Sequence, residues 1–161
     1  MSQHLRCLYE NSIEYFLAEC REAILGALCE SYHGVALTTT RDAWIKEIDV
    51  MQATLIPWND SDGRIIFEYD IPRLGKRIDI VLLLNGIIFC LEFKAGESKI
   101  LEADIDQVLD YALDLKNFHK FSQNSLIVPI LVATEYETAS SVIQASIYDD
   151  RIVNPLVTGA E

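Results

Sequence analysis

The chain has 161 residues, half of them hydrophobic, and its 25 acidic and 13 basic side chains give a formal net charge of −12. This length suits one domain with its own core, and no run approaches the roughly 20 consecutive apolar residues of a transmembrane helix. The N-terminal residues lack the basic-then-apolar pattern of a signal peptide, so we expect a cytoplasmic protein without a membrane partner. The sequence leaves the oligomeric state open.

The negative charge bears on function because proteins bind nucleic acid mainly through Lys and Arg, which displace condensed counterions. A charge of −12 therefore argues against unaided binding of nucleic acid. Two considerations weaken that objection. Clustered carboxylates are what a divalent cation needs, and a neighbouring basic domain could hold the substrate.

Two helices are predicted in the first third of the chain. Apolar residues recur every three to four positions over residues 3–31, which predicts one long amphipathic helix. A second apolar stripe, which includes Trp44 and Met51, follows three threonines at 38–40 and ends at Pro57. The threonine hydroxyls predict an N-cap for this second helix.

The central part of the chain has the pattern of a β-hairpin. After a turn-forming run at 59–63, residues 65–71 and 77–84 are predicted strands. Asn85-Gly86 is typical of a type I′ turn, so residues 87–94 should pair antiparallel with the preceding strand. The near-continuous apolar run in 87–94 predicts a central strand buried on both faces.

Residues 104–118 are predicted to form a third helix, followed by a strand at 125–133. Residues 141–147 and 152–157 are weaker strand candidates. The resulting order is α-α-β-β-β-α-β with a less regular C-terminal part, which indicates an α/β domain.

The residues that could do chemistry lie on the hairpin. Glu92 and Lys94 are two positions apart and should project from the same face of their strand. Asp79 and Glu92 are each six residues outward from Asn85-Gly86, so hairpin pairing should place them opposite each other. Two adjacent carboxylates repel, and a divalent cation would turn that repulsion into attraction.

We therefore predict a site for Mg²⁺ or Mn²⁺ on the carboxylates of Asp79 and Glu92 and the main-chain carbonyl of Phe93. Such a cation can activate water for attack on a phosphodiester. Lys94 beside it would orient or deprotonate the water, or balance charge on the phosphate, and the sequence leaves these roles open.

An Asp on one strand and Glu-x-Lys on the next resemble the signature of the PD-(D/E)XK nuclease superfamily. Gln107 and Tyr111, four residues apart on the third helix, resemble the Q-x-x-x-Y motif of its RecB-like branch, and the segment from Gly75 to Asp79 resembles that branch's G-x-x-x-D. This resemblance implies a restriction-endonuclease-like three-layer core (αβββαβ), with a central mixed β-sheet flanked by helices. It also implies metal-dependent hydrolysis of phosphodiester bonds, with DNA favoured over RNA.

The same resemblance suggests roles for three further residues. Gln107 and Tyr111 would support the active site and contact nucleic acid near it. An acidic residue often lies on the helix before the sheet, where Glu47 and Asp49 are the candidates. Glu47 borders the apolar stripe whereas Asp49 points away from it, so we choose Glu47.

A closer resemblance is carried by residues 68–72, 76–81, 92–94 and 106–116, which are similar to bacterial proteins whose nuclease-like domain precedes a Schlafen-like DNA/RNA helicase domain. It covers roughly residues 44–134. A G-x-x-x-x-G-K-S/T nucleotide-binding signature is absent from the sequence. We therefore expect residues 1–161 to be a single nuclease-like domain of a longer protein, with a helicase/NTPase domain as its partner.

Other interpretations remain open. Glu92 and Lys94 could be an ordinary surface pair, and Glu68 and Asp70 read as alternating residues on one face of an edge strand. The whole domain could be a catalytically inactive docking or regulatory module, which the acidic composition favours. A protein that competes for DNA-binding surfaces through its acidity is a third possibility.

Overall fold

A computed structural model describes residues 6–71, 74–118, 122–137 and 145–160. Within these ranges the strands, numbered β1 to β6, are Tyr9–Ser12, Arg64–Ile71, Lys76–Leu84, Ile87–Lys94, Leu126–Ala133 and Leu156–Thr158. The helices, numbered α1 to α4, are Ile13–Ala18, Arg21–Ser31, Thr38–Leu55 and Glu102–Phe118, and a 3-10 turn spans Ile56–Trp58.

The strands described form one mixed sheet in the order β1-β2-β3-β4-β5-β6. Neighbours from β1 to β4 are antiparallel, whereas β4, β5 and β6 are parallel. A parallel pair needs a crossover connection, and α4 provides it between β4 and β5. The chain is therefore an α/β protein with a six-stranded mixed sheet flanked by helices, as the sequence predicted.

The sheet separates two apolar cores. The α3-side core joins α1, α2 and α3 to one face, and its members include Ile13, Phe16, Ile24, Leu28, Trp44, Ile48, Met51, Phe67, Ile80, Leu91 and Phe93. The α4-side core joins α4 to the other face, and its members include Ile71, Ile78, Val81, Cys90, Tyr111, Ala112, Leu115 and Ile127. The helices before and after the hairpin thus reach the sheet from opposite sides.

The β3–β4 hairpin has the predicted turn and register. Asn85 and Gly86 both have positive φ values, 52° and 78°, as a type I′ turn requires. The strand pairing runs from Leu84↔Ile87 to Ile80↔Leu91. Because β4 also pairs with β5, it is an inner strand, which confirms its predicted central position.

The prediction of one long helix over residues 3–31 is wrong, and its first residues lie outside the described part of the chain. Tyr9–Ser12 instead pair with β2 as an edge strand. The Ser12 hydroxyl then caps α1 by accepting a hydrogen bond from the Tyr15 amide at 3.2 Å. Backbone pairing with β2 outweighs the helical periodicity, while Ile13, Phe16, Ile24 and Leu28 stay buried in two shorter helices.

The second predicted helix is confirmed as α3, but the threonines at 38–40 form its first turn and not its cap. Leu37 occupies the N-cap position without a side-chain hydrogen bond.

In the C-terminal part, residues 141–144 of a predicted strand lie outside the described residues, and the segment 152–157 contributes two isolated bridges and the start of β6. Among the helices described, none is long and apolar enough to cross a membrane.

Candidate active site

Asp79 and Glu92 lie where β3 and β4 separate. The last pair of the ladder is Ile80↔Leu91, so the next residues outward are Asp79 and Glu92. They do not continue the ladder, and Asp79 Oδ2 accepts a hydrogen bond from the Phe93 amide at 2.8 Å. The two carboxylates therefore lie at an opening in the sheet, as the first residues beyond the last pair of the hairpin ladder.

The pKa of Asp79 is raised well above its ordinary value. Burial is the main cause, and the charge of Glu92 adds to it, while the hydrogen bond from the Phe93 amide acts in the opposite direction. The pKa of Glu92 is also raised by burial, although the nearby Lys94 ammonium lowers it. Without a cation, this pair therefore keeps a proton to a higher pH than two separate carboxyl groups would.

Glu47 brings a third carboxylate to this place from α3. Its side chain is only 4% exposed, and its Oε2 atom has no hydrogen-bond partner. Burial, followed by the charges of Asp79, Glu68 and Glu92, raises the pKa of Glu47 well above its ordinary value. Asp49, the other candidate on this helix, is exposed and pairs with Arg21 at 3.0 Å.

Lys94 is held beside Glu92 by three polar partners. Its Nζ atom lies 3.3 Å from Glu92 Oε1, 3.3 Å from Asp104 Oδ1 and 3.1 Å from Gln107 Oε1. Burial acts to lower the pKa of Lys94, but the charges and hydrogen bonds of Glu92 and Asp104 outweigh it and raise the pKa. Lys94 is therefore a charged ammonium in this arrangement.

Gln107 and Tyr111 lie on the face of α4 that meets this ammonium. The Gln107 amide Nε2 donates to the Tyr111 hydroxyl at 2.7 Å, while Gln107 Oε1 accepts from Lys94. Lys76, Ala103, Asp106, Gln107, Asp110 and Tyr111 line a cleft of about 350 Å³ beside the pair. The Gln-Tyr pair thus links this cleft to the ammonium of Lys94.

Two larger cavities, of about 400 and 470 Å³, are lined mainly by apolar residues of the two sheet faces. None of Glu47, Asp79, Glu92 and Lys94 lines either of them. The larger cavities and the charged side chains therefore lie in different places. We place the site at the charged side chains, because their burial costs free energy that a bound ligand could recover.

The donor chemistry at this place fits a hard divalent cation. Its side chains offer carboxylate oxygens, and Glu47 Oε2 and Glu92 Oε2 are buried without a hydrogen-bond partner. In the described part of the chain, however, no three His, Cys, Asp or Glu side chains already stand as a ligand set. The ligands suit the cation, but they would have to move together to hold it.

Comparison of the chain with protein-family models, curated proteins and solved structures finds no match. A function for this chain must therefore be inferred from its side chains.

The structure adds two residues that the sequence did not single out. Asp104, at the start of α4, pairs with Lys94. Glu68 lies on β2 close enough to influence Glu47, Asp79 and Glu92 through its charge. The sequence showed that Asp104 lies near the start of a helix. For Glu68, the alternation of residues along the strand gave no indication that its side chain lies near the other carboxylates.

Proposed function

We propose that this chain is a Mg²⁺- or Mn²⁺-dependent nuclease domain of the PD-(D/E)XK type that hydrolyses phosphodiester bonds, with DNA as the expected substrate. The observation that carries the proposal is the meeting of Glu47, Asp79 and Glu92 beside the ammonium of Lys94. Glu47 and Glu92 are buried and Asp79 is partly buried, so grouping these carboxylates is costly, and packing alone offers no compensation for them.

The order of elements supports the same proposal. The segment α3-β2-β3-β4-α4-β5 follows the αβββαβ arrangement expected of a restriction-endonuclease-like core. In this arrangement the hairpin supplies Asp79, Glu92 and Lys94, the preceding helix supplies Glu47, and the crossover helix supplies the Gln-Tyr pair.

Each residue has a role that follows from its chemistry. A cation bound by Asp79 and Glu92, with the Phe93 carbonyl and Glu47 beside them, would lower the pKa of a bound water and polarise the phosphate. Asp79 keeps its orientation through the Phe93 amide. Because Lys94 is charged, we assign it to orienting the water and balancing phosphate charge, not to removing a proton.

Gln107 and Tyr111 act through Lys94. Gln107 fixes the position of the ammonium, and the Tyr111 hydroxyl fixes the Gln107 amide. Both side chains also border the cleft through which a phosphate group could approach. The acidic side chains of α4 discourage that approach, which is why we propose that a neighbouring basic surface, such as the helicase/NTPase domain implied by the sequence resemblance, holds the nucleic acid.

Cleavage of supercoiled, linear and single-stranded DNA and of RNA, with Mg²⁺ or Mn²⁺, tests the proposal. We expect metal-dependent cleavage that falls by about 100-fold or more in Lys94→Ala. Lys99→Ala removes an exposed lysine from the loop after β4 and should retain wild-type cleavage. Equal cleavage by the wild type and Lys94→Ala would contradict the proposal.

The acidity of the domain favours a second candidate, a docking or regulatory module without catalysis. The net charge is −12, and the exposed side of α4 carries Glu102, Asp106 and Asp110. Such a module has no need of a cation, so cation binding that depends on Asp79 distinguishes the two candidates.

A further inference from the structure

Glu68 interrupts β2 at the level of Asp79. Its φ is +55°, a left-handed value that is uncommon for a residue other than glycine. The pairing of β2 with β3 includes Phe67↔Ile80 and Tyr69↔Ile78 but omits Glu68 and Asp79, which lie between them. The unusual backbone of Glu68 therefore lies beside Asp79, at the edge of the candidate site.

The two strands also change faces at this point. Phe67 and Ile80 pack in the α3-side core, whereas Ile78 belongs to the α4-side core and Tyr69 packs against it. Residues two apart on a regular strand share a face, so both strands must twist between these pairs. This local twist frees Glu68 and Asp79 from the regular sheet.

The side chain of Glu68 contacts the helix that carries Glu47. Its Oε1 atom accepts a hydrogen bond of 3.0 Å from the indole Nε1 of Trp44, which is 1% exposed. Arg77 Nη1 lies 4.0 Å from Glu68 Oε2. Trp44 precedes Glu47 by about one helical turn, so this bond joins β2 to α3 close to Glu47.

A hydrogen bond to Trp44 does not require a charge, because the side-chain oxygen of a Gln could accept it equally well. The carboxylate of Glu68 instead adds negative charge beside Glu47, Asp79 and Glu92, and repels all three. Glu47 is 4% and Glu92 6% exposed, and each has a buried oxygen without a hydrogen-bond partner. These unpartnered oxygens point to a positively charged ligand.

We propose that Glu68 is a positioning residue of the cation site: it fastens α3 through Trp44 so that Glu47 faces Asp79, and its charge strengthens the attraction of the site for a divalent cation. This inference rests on the proposed function, since it concerns the same site. In this account the left-handed backbone of Glu68 is retained because it turns the carboxylate toward α3.

The test measures Mn²⁺ affinity by electron paramagnetic resonance in wild type and in Glu68→Gln, which keeps the acceptor for Trp44 and removes the charge. We expect the affinity to fall by about 10- to 100-fold. Without metal, the melting temperature of Glu68→Gln should equal or exceed that of wild type, because a repulsive charge has been removed. Asp70→Asn removes a charge two residues along the same strand and should retain wild-type affinity.

Trp44→Phe provides a second variant, because it removes the Nε1 donor and leaves the charge of Glu68 in place. We expect its Mn²⁺ affinity to fall as well, by a smaller factor than in Glu68→Gln. Wild-type affinity in both variants would overturn the role of Glu68 and leave the nuclease proposal intact. Absence of Mn²⁺ binding by the wild-type protein would overturn both.

Discussion

Replacing Glu47 with Gln should make the metal-free protein more stable at neutral pH, by an amount that grows as the pH rises. The Glu47 side chain is 4% exposed and its Oε2 atom has no hydrogen-bond partner. Burial, and then the charges of Asp79, Glu68 and Glu92, raise its pKa well above the ordinary value. Ionisation of Glu47 is therefore costlier in the folded protein than in the unfolded chain.

The sign and size of the effect follow from proton linkage. Between the ordinary glutamate pKa of about 4.3 and the raised value, the folded protein holds a proton at Glu47 that the unfolded chain has released. This contribution to stability is fully present below the unfolded pKa and is lost as the pH rises through the folded pKa. For one proton, the unfolding free energy of the wild type falls by at most about 1.4 kcal/mol per pH unit. Glu47→Gln has no carboxyl group at this position, so its unfolding free energy does not fall for this reason.

Urea unfolding in EDTA at pH 5, 6, 7 and 8 measures this directly. The difference in unfolding free energy between Glu47→Gln and wild type should increase over the series. Asp49→Asn removes an exposed carboxylate from the same helix and controls for the loss of one formal charge. A difference that stays constant with pH would refute the argument that Glu47 is buried among like charges.

Two further predictions concern the support of the site and the packing of the fold. Tyr111→Phe removes the hydroxyl that accepts from the Gln107 amide, so cleavage should fall by about 10-fold in single-turnover assays while Mn²⁺ affinity stays close to wild type. Gly63→Ala should destabilise the protein by about 1–3 kcal/mol in urea unfolding, because a Cβ there would meet the backbone oxygen of Leu83 at 2.7 Å. Gly26→Ala, where a Cβ meets nothing within 4 Å inside α2, should instead stabilise it by about 1 kcal/mol.

The hairpin was predictable because its signals are local. Asn85-Gly86 specifies a turn with two positive φ values, and that turn fixes the register on both sides of it. The relative position of Asp79 and Glu92 follows from the register, and that of Gln107 and Tyr111 from the helical repeat.

The N-terminal segment could not be predicted because its structure depends on a distant partner. Residues 9–12 lie within the segment of helical apolar periodicity, yet they pair with β2 more than 50 residues along the chain. The Tyr9 hydroxyl and the Asn11 amide also each donate to Glu19 at 3.0 Å. These bonds join β1 to the residue that ends α1. Long-range pairing of this kind leaves no periodic signal.

Glu68 was misread for a related reason. Its alternation with Asp70 predicts two side chains on one strand face, and this holds only for regular β backbone. The left-handed φ of Glu68 breaks the alternation and directs the side chain to Trp44. A backbone irregularity at a residue other than glycine has no sequence marker. Only the structure therefore shows that the Glu68 carboxylate lies near those of Glu47, Asp79 and Glu92.

The most direct test of the central claim is calorimetric titration of the protein with Mn²⁺, in wild type and in Asp79→Asn. The Asn side chain can still accept from the Phe93 amide, so the strand opening is preserved while the charge is lost. We predict binding by wild type and at least about a 10-fold weaker affinity in the variant. No binding by wild type, or equal affinities in the two proteins, would contradict a cation site at Asp79 and with it the proposed nuclease.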